Sequence, residues 1–281
     1  MMKIWEVYKR AIQEGKNQGV LSADLRVLIA HDQGYNQPID TLYHKDDEMR
    51  GLSLFEAQFA DLLKGKPVEY IIKEASFLER KFYVDERVLI PRMETEELVA
   101  NITERIDDYY DPRNYLVCAD IGTGSGAIAV TLKSLFQNWI VLASDSSPAA
   151  LEIAKKNIVS SGFPISTYCG SSLGPYIEGK INLDIIVCNP PYITSEEDTQ
   201  ESVKKYEPAS ALWLDKDHSV YEDIFRDYKK IKKGSLLVCF EIGYDLVPFL
   251  TSLMEKYLFD YEFKFIDDLN GRPRFLFVFL K

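Results

Sequence analysis

Leu116-Val117-Cys118-Ala119-Asp120-Ile121-Gly122-Thr123-Gly124-Ser125-Gly126-Ala127 is the stretch that decides the fold. Six mostly apolar residues read as a buried strand, and three alternate glycines then turn the chain sharply into an apolar-periodic helix. Downstream the pattern repeats. Further strands are predicted at 139–145, 165–169, 183–188, 235–242, 261–266 and 274–279, with helices near 126–136, 148–160, 219–231 and 246–258. Strand–helix alternation predicts a mostly parallel sheet covered by helices on both faces. The 267–273 connection has no room for a crossover helix, so the last two strands should pair antiparallel as a terminal hairpin. The expected fold is α/β, a seven-stranded, mostly parallel Rossmann-like sheet ending in that hairpin.

In such a sheet the ligand site lies at the carboxyl ends of the strands, where the glycine loop falls. Two ligands compete for it. Gly122-x-Gly124-x-x-Ala127, with Asp145 about 20 residues on, satisfies the dinucleotide fingerprint. A pyrophosphate, however, should avoid the Asp120 carboxylate at the mouth of the loop. S-adenosylmethionine carries no phosphate and ends in an ammonium group. Asp120 can favour that cation, or brace the loop by accepting its N–H groups. Asp145 suits a ribose diol in either case. The balance favours S-adenosyl-L-methionine, held by Asp120, Gly122, Thr123, Gly124, Ser125, Gly126 and Asp145.

The strand 183–188 runs into Asn189-Pro190-Pro191-Tyr192. Two prolines remove two backbone donors and fix two φ angles, which leaves rigidly aimed carbonyls. The Asn189 side chain and the Pro190 carbonyl can both accept hydrogen bonds from one NH₂ group, and Tyr192 offers a flat face to a planar group. An amide or aromatic amine nitrogen has a delocalised lone pair and is a poor nucleophile, so holding it in line is most of the catalysis. Asn189, Pro190 and Tyr192 are the expected catalytic residues, with Pro191 lining the substrate.

Ahead of this region the chain changes character. Residues 3–64 show helical stripes: Trp5, Tyr8 and Ile12; Leu25, Leu28 and Ile29; Leu54, Phe55, Phe59, Leu62 and Leu63. The charged run His44–Glu48 reads as a solvated connection, and Gly65-Lys66-Pro67 as a helix stop. From Ser76 a β-hairpin is expected to link this small helical domain (1–73) to the rest (74–281), followed by a helix over 94–106. The net charge is −11, and residues 1–80 carry 11 basic and 13 acidic groups against 22 and 31 in the remainder. Neither part has the basic excess of a phosphate-gripping protein, which disfavours a nucleic-acid substrate. Cys118, Cys169, Cys188 and Cys239 and the histidines His31, His44 and His218 show no metal-ligand spacing. Three of the cysteines sit in apolar runs, as core residues in a reducing compartment do. No signal peptide and no membrane span is read, so a cytoplasmic protein is expected.

Taken together, these motifs resemble the HemK/PrmC family, the protein-(glutamine-N5) methyltransferases that modify peptide chain release factors. The matching pieces are Gly65 to Ile71, Val88-Leu89-Ile90-Pro91-Arg92-Met93-Glu94-Thr95-Glu96-Glu97-Leu98-Val99, Asp120 to Gly126, Asn189 to Tyr192, Tyr206-Glu207-Pro208 with Ala211-Leu212, Glu241-Ile242-Gly243, and Asp267 through Arg274. The Asn-Pro-Pro-Tyr tetrapeptide is shared with adenine-N6 DNA methyltransferases; the Ile-Pro-Arg-x-Glu-Thr-Glu segment is far more specific. The resemblance implies a class I methyltransferase domain, an N-terminal domain that helps dock the release factor, and the glutamine of a Gly-Gly-Gln motif as methyl acceptor. Arg92, Glu94 and Thr95 would border the site, the alternative for Thr95 and Glu96 being helix capping. Two departures stand out. The family's acidic residue after the third strand is replaced by Ser171-Ser172, which would meet the donor's adenine without charge, and its glycine-rich stretch after Glu-Pro is replaced by Trp213 to His218. The reading is an enzyme that methylates a release-factor glutamine, with an adenine-N6 methyltransferase and a dinucleotide-dependent oxidoreductase as alternatives.

Overall fold

The computed structural model describes residues 2–111, 113–197, 199–215 and 219–281. The chain divides into two compact units, 1–74 with 200–206, and 75–199 with 207–281.

The first unit is helical, with helices Ile4–Gly15, Ser22–Gln33, Asp40–Tyr43, Leu52–Leu63, Val68–Ile72 and Glu201–Tyr206. Its core gathers Ile4, Val7, Ala11, Leu25, Leu28, Ile29, Phe55, Phe59 and Leu62. The face of the first helix is therefore Ile4, Val7 and Ala11, one position before the expected Trp5, Tyr8 and Ile12. Tyr8 and Ile12 pack at its margin, and Trp5 is exposed. Both triads repeat at three and four residues, so spacing alone could not choose between them. Leu54 likewise points outward.

The second unit opens with a hairpin of β1 (Glu74–Phe77) and β2 (Arg80–Tyr83). Its turn places Leu78 and Glu79 at φ 44° and 63°. Asn157, on the helix Pro148–Ser161, clips the hairpin by accepting from the Tyr83 N–H and donating to its carbonyl, at 2.8 and 2.9 Å. Next come the helix Met93–Arg105 and seven strands: β3 (Val117–Ile121), β4 (Ile140–Asp145), β5 (Ser166–Cys169), β6 (Ile185–Cys188), β7 (Leu236–Glu241), β8 (Tyr261–Asp267) and β9 (Pro273–Leu280). They form one sheet in the order β5-β4-β3-β6-β7-β9-β8. The five strands β3 to β7 are parallel, and β9 pairs antiparallel with both β7 and β8, as the short last connection required. β6 is buried along its whole length because helices cover both faces. Alternate residues feed two cores: Leu236, Val238 and Phe240 of β7 enter one, Leu237 and Cys239 the other.

The register is what builds a site. The chain runs from β3 outward to β4 and β5, then returns to β6 on the other side of β3, so the strand order reverses between β3 and β6. Ile121 stands opposite Cys188, and Cys188 opposite Phe240. The loops that follow, beginning at Gly122, Asn189 and Ile242, therefore start side by side at the crevice where open α/β sheets bind ligands.

Cys118, Cys188 and Cys239 are buried and Cys169 is exposed; all four are free thiols. Among the described residues there is no cluster of potential metal ligands, and no helix is long and apolar enough to cross a membrane.

Candidate active site

The glycine loop is held from below. Gly122 and Thr123 donate their N–H groups to the Ser144 carbonyl at 2.8 and 2.9 Å, and Gly124 donates to Asp145 Oδ2 at 2.9 Å. A pyrophosphate cradle needs such amides free to point at the ligand. Here three of them are already bound, which argues against the dinucleotide reading. Gly122, Gly124 and Gly126 have φ of 73°, 53° and 82°, the left-handed region that a side chain would strain.

Asp120 braces the loop through one carboxylate oxygen, while its other, the buried Oδ1, has no hydrogen-bond partner among the described residues. It is fully buried, and its Oδ2 accepts from Thr123 Oγ1 at 2.6 Å and from the Ala129 N–H at 3.1 Å. Burial pushes its carboxyl up to about 7, against the pull of these two donors.

A cavity of about 190 Å³ lies over this loop. Its wall includes Gly122, Thr123, Gly124, Ser125, Asp145, Ser171 and Ser172, together with Thr95, Asn189, Pro190 and Pro191. Asp120, Gly126, Arg92, Glu94 and Tyr192 are not among the described residues of the wall. Asp145 is half-buried. Its Oδ1 accepts from the Ser147 N–H and its Oδ2 from Gly124, so each oxygen keeps a lone pair for a hydroxyl group. Ser172 sits at φ 50° with a buried hydroxyl that has no hydrogen-bond partner. Buried polar groups are rarely left so, and a bound molecule with a polar edge would satisfy it.

Across the cavity Asn189 heads a chain of hydrogen bonds. Its Nδ2 donates to Thr95 Oγ1 at 3.0 Å, and Thr95 Oγ1 donates to Glu241 Oε2 at 2.7 Å. Tyr192 Oη donates to the other carboxylate oxygen, Oε1, at 3.1 Å. With Nδ2 engaged, the Asn189 oxygen is left without a protein donor, as is the Pro190 carbonyl among the described residues. Thr95 is buried in this chain, so helix capping is not its role. Glu96 instead accepts from the Leu78 N–H at 2.9 Å.

Glu241 is 0% exposed, and burial raises its carboxyl to about 7, opposed by Thr95, Tyr192 and Arg274. Arg274 lies 5.6 Å from the centre of the Tyr192 ring and donates to the Ile242 carbonyl at 3.1 Å. Burial and the adjoining Glu241 charge push the Tyr192 hydroxyl up. At the rim Arg92 is paired with the buried Glu207, which also accepts from the Ile90 N–H at 3.4 Å. Glu94 acts on Tyr192 and Glu241 through its charge. After Tyr192 the chain bridges Ile193 to Trp213, the Ile193 N–H donating to the Leu212 carbonyl at 3.0 Å. Residues 216–218, which complete the divergent stretch noted above, lie outside the described residues.

Residues 100–217 match the methyltransferase small domain. The chain is 39% identical over 214 residues to the release factor glutamine methyltransferase of Bacillus subtilis (strain 168), covering 75% of this chain and 74% of that one. It is 35% identical over 238 residues to the protein of the same name from Enterococcus faecalis, covering 83% of each. The chain belongs to the release factor glutamine methyltransferase family. A solved methyltransferase from Pyrococcus furiosus, 17% identical, superposes with a TM-score of 0.50 over 80% of this chain and 98% of that one, a likeness of fold.

In this member of the glutamine methyltransferases, Thr95, Asp145, Ser171, Ser172, Asn189, Pro190, Pro191 and most of the glycine loop, all marked by the sequence, line the cavity, whereas Asp120, Gly126, Arg92, Glu94 and Tyr192 do not, and the sequence left two residues behind the wall without a role. Glu241 was visible only as part of a motif and Glu207 likewise, with no role attached. A signal was present in both cases. In Leu236-Leu237-Val238-Cys239-Phe240-Glu241 the alternation that points Leu237 and Cys239 at the helix Met93–Arg105 also points Glu241 there, an acid where a core residue belongs.

Proposed function

We propose that the protein transfers a methyl group from S-adenosyl-L-methionine to the side-chain amide nitrogen of the glutamine in the Gly-Gly-Gln motif of peptide chain release factors. The observation that carries this reading is the pair of unsatisfied acceptors, Asn189 Oδ1 and the Pro190 carbonyl, in residues that line the same cavity as the glycine loop. A primary amide has two N–H hydrogens for them. Hydrogen-bonded to both, its nitrogen is fixed with its lone pair across the cavity, and the rate gain comes from orientation.

The cavity suits the donor. Asp145 would take the ribose hydroxyls, Ser171 and Ser172 the adenine end, and the loop Gly122–Ser125 the amino-acid end, where no Cβ intrudes: a side chain added at Gly122 or Gly124 would meet open space. Bound there, S-adenosyl-L-methionine supplies an electrophilic methyl group on its sulfonium. Arg92 and Glu94, outside the cavity wall, are assigned to the incoming backbone of the factor. Residues 1–73 are assigned to docking it and residues 74–281 to catalysis. The acidic net charge disfavours nucleic acid as substrate, and the free thiols of Cys118, Cys188 and Cys239 fit work in the cytoplasm. The test is an incubation with labelled methyl donor and, in parallel, a release factor and duplex DNA. Label in the factor alone is expected; label in the DNA alone overturns the acceptor.

A further inference from the structure

We propose that Glu241 and Thr95 are positioning residues of this site: the buried carboxylate, acting through the threonine hydroxyl, keeps the Asn189 amide turned with its oxygen toward the cavity, and through Tyr192 Oη it fixes the adjoining ring. The proposal rests on the reading of Asn189 Oδ1 as the acceptor for the substrate amide.

The argument is one of hydrogen-bond direction. An ionised carboxylate can only accept. With Glu241 ionised, Thr95 Oγ1, 2.7 Å from Oε2, must therefore spend its single hydrogen on that oxygen. The hydroxyl has nothing left to donate to Asn189 and can offer it only a lone pair. Asn189 must then present Nδ2, as it does at 3.0 Å, and Oδ1 is left for the ligand. A turned amide would set Oδ1 against Thr95 Oγ1 with no hydrogen between them, and would aim an NH₂ group at the substrate's own NH₂. One charge thus sets the polarity of the catalytic amide two groups away. The same carboxylate accepts from Tyr192 at 3.1 Å, so both side chains of the acceptor loop are referred to a single point on β7. Strand register places that point: Cys188 lies opposite Phe240, and Asn189 and Glu241 are the next residues of each strand. A carboxylate in the series Leu237, Cys239, Glu241 is out of place in a core, where its burial is costly unless it is hydrogen-bonded.

Glu241→Gln keeps the shape and removes the charge, so its NH₂ group can donate to Thr95 and reverse the chain. Thr95→Val cuts it, and Thr95→Ser restores the hydroxyl. The first readout needs no substrate. The Asn189 side-chain amide resonance, assigned by its loss in Asn189→Ala, should move in Glu241→Gln and Thr95→Val and return close to its original position in Thr95→Ser. The second is turnover on a release factor, with kcat falling on the order of 10- to 100-fold in Glu241→Gln and Thr95→Val, as for other oriented polar groups. Thr95→Ser should recover most of the loss, and the double variant Glu241→Gln/Thr95→Val should fall no further than either single one. S-adenosylhomocysteine affinity should stay within about twofold, and Glu241→Gln should melt no lower than the parent, since a buried charge is gone. An unmoved Asn189 resonance overturns the proposal whatever the substrate, as does a kcat loss in Glu241→Gln that merely tracks lost melting temperature or lost S-adenosylhomocysteine binding. If the parent enzyme labels no release factor while the resonance shifts as described, the substrate reading falls and the positioning role stands.

Discussion

At Asn189 a single side-chain oxygen is asked to hold a poor nucleophile. Asn189→Ala should leave S-adenosylhomocysteine binding and melting nearly unchanged and lower kcat on the order of 10²-fold or more, the usual loss for an oriented polar group in a site. Steady-state kinetics beside calorimetry would check it; near-full activity would remove Asn189 from the mechanism. Asp145 belongs to the other half of the cavity. Its two oxygens already carry the Ser147 and Gly124 amides, so its position is fixed before any ligand arrives. Asp145→Ala should weaken S-adenosylhomocysteine by about 1–3 kcal/mol through lost charged hydrogen bonds, read by titration calorimetry. Both residues were legible in the sequence because each ends a strand and carries polar chemistry that the strand itself does not need. Asp120 was legible as a residue but open in role. The distances from Oδ2 to Thr123 and Ala129 show the brace, and the unpartnered Oδ1 remains for a ligand cation.

On the scale of elements, β7 and the helix Met93–Arg105 trap Glu241 between them, and this gives the enzyme a pH dependence. Burial raises the Glu241 carboxyl from its usual 4.5 to about 7, with Thr95, Tyr192 and Arg274 opposing the rise and Glu94 adding to it. A folded-state pKa above the unfolded one means that the protonated acid is the form the fold favours. Its contribution to stability is therefore full below about pH 4.5 and is lost as pH rises through about 7. Catalysis as argued above needs the ionised form. Activity should accordingly rise with pH through about 7 while this contribution to stability declines; Glu241→Gln should flatten the activity trend and lessen the stability trend, the remainder of which Asp120, also raised to about 7, carries. A pH series of kcat and of melting temperature reads the two together.

The glycine loop is the second such element. Gly126 begins the helix Ala127–Leu135 at φ 82°, and a Cβ there would lie 3.4 Å from Ala154. Gly126→Ala should lower stability by about 1–2 kcal/mol from left-handed strain, measured by the urea midpoint. The parallel strands and this loop were legible because apolar runs and glycines act locally. The Asn189–Thr95–Glu241 chain was not, because its members lie on three elements and meet only through the register of β6 against β7. The one-residue offset of the first helix's buried face had the same origin: two stripes fitted the period, and the packing of Ile4, Val7 and Ala11 chose between them.

For the whole molecule, we propose that the unit containing the sheet does the chemistry and that residues 1–73 recognise the factor. The catalytic unit has two apolar cores of its own, one on each face of the sheet. Removing residues 1–73 should therefore leave S-adenosylhomocysteine binding measurable and sharply reduce methylation of an intact release factor, while a short Gly-Gly-Gln peptide should be a poor substrate for both forms. Undiminished methylation of the factor by the shortened chain would move docking elsewhere. The net charge of −11 adds that raising the salt concentration should not abolish activity in the way it does for enzymes that hold phosphates. If Asn189 Oδ1 and the Pro190 carbonyl hold a glutamine amide beside the donor cavity, mass spectrometry will find the methyl group on that amide. A release factor incubated with the enzyme and S-adenosyl-L-methionine is digested, and the methyl group is located by fragmentation. A single methyl is expected on the side-chain nitrogen of the glutamine in Gly-Gly-Gln, absent when Asn189→Ala replaces the parent enzyme. A methyl on any other residue, or an unmodified glutamine beside a fully active donor site, would contradict it.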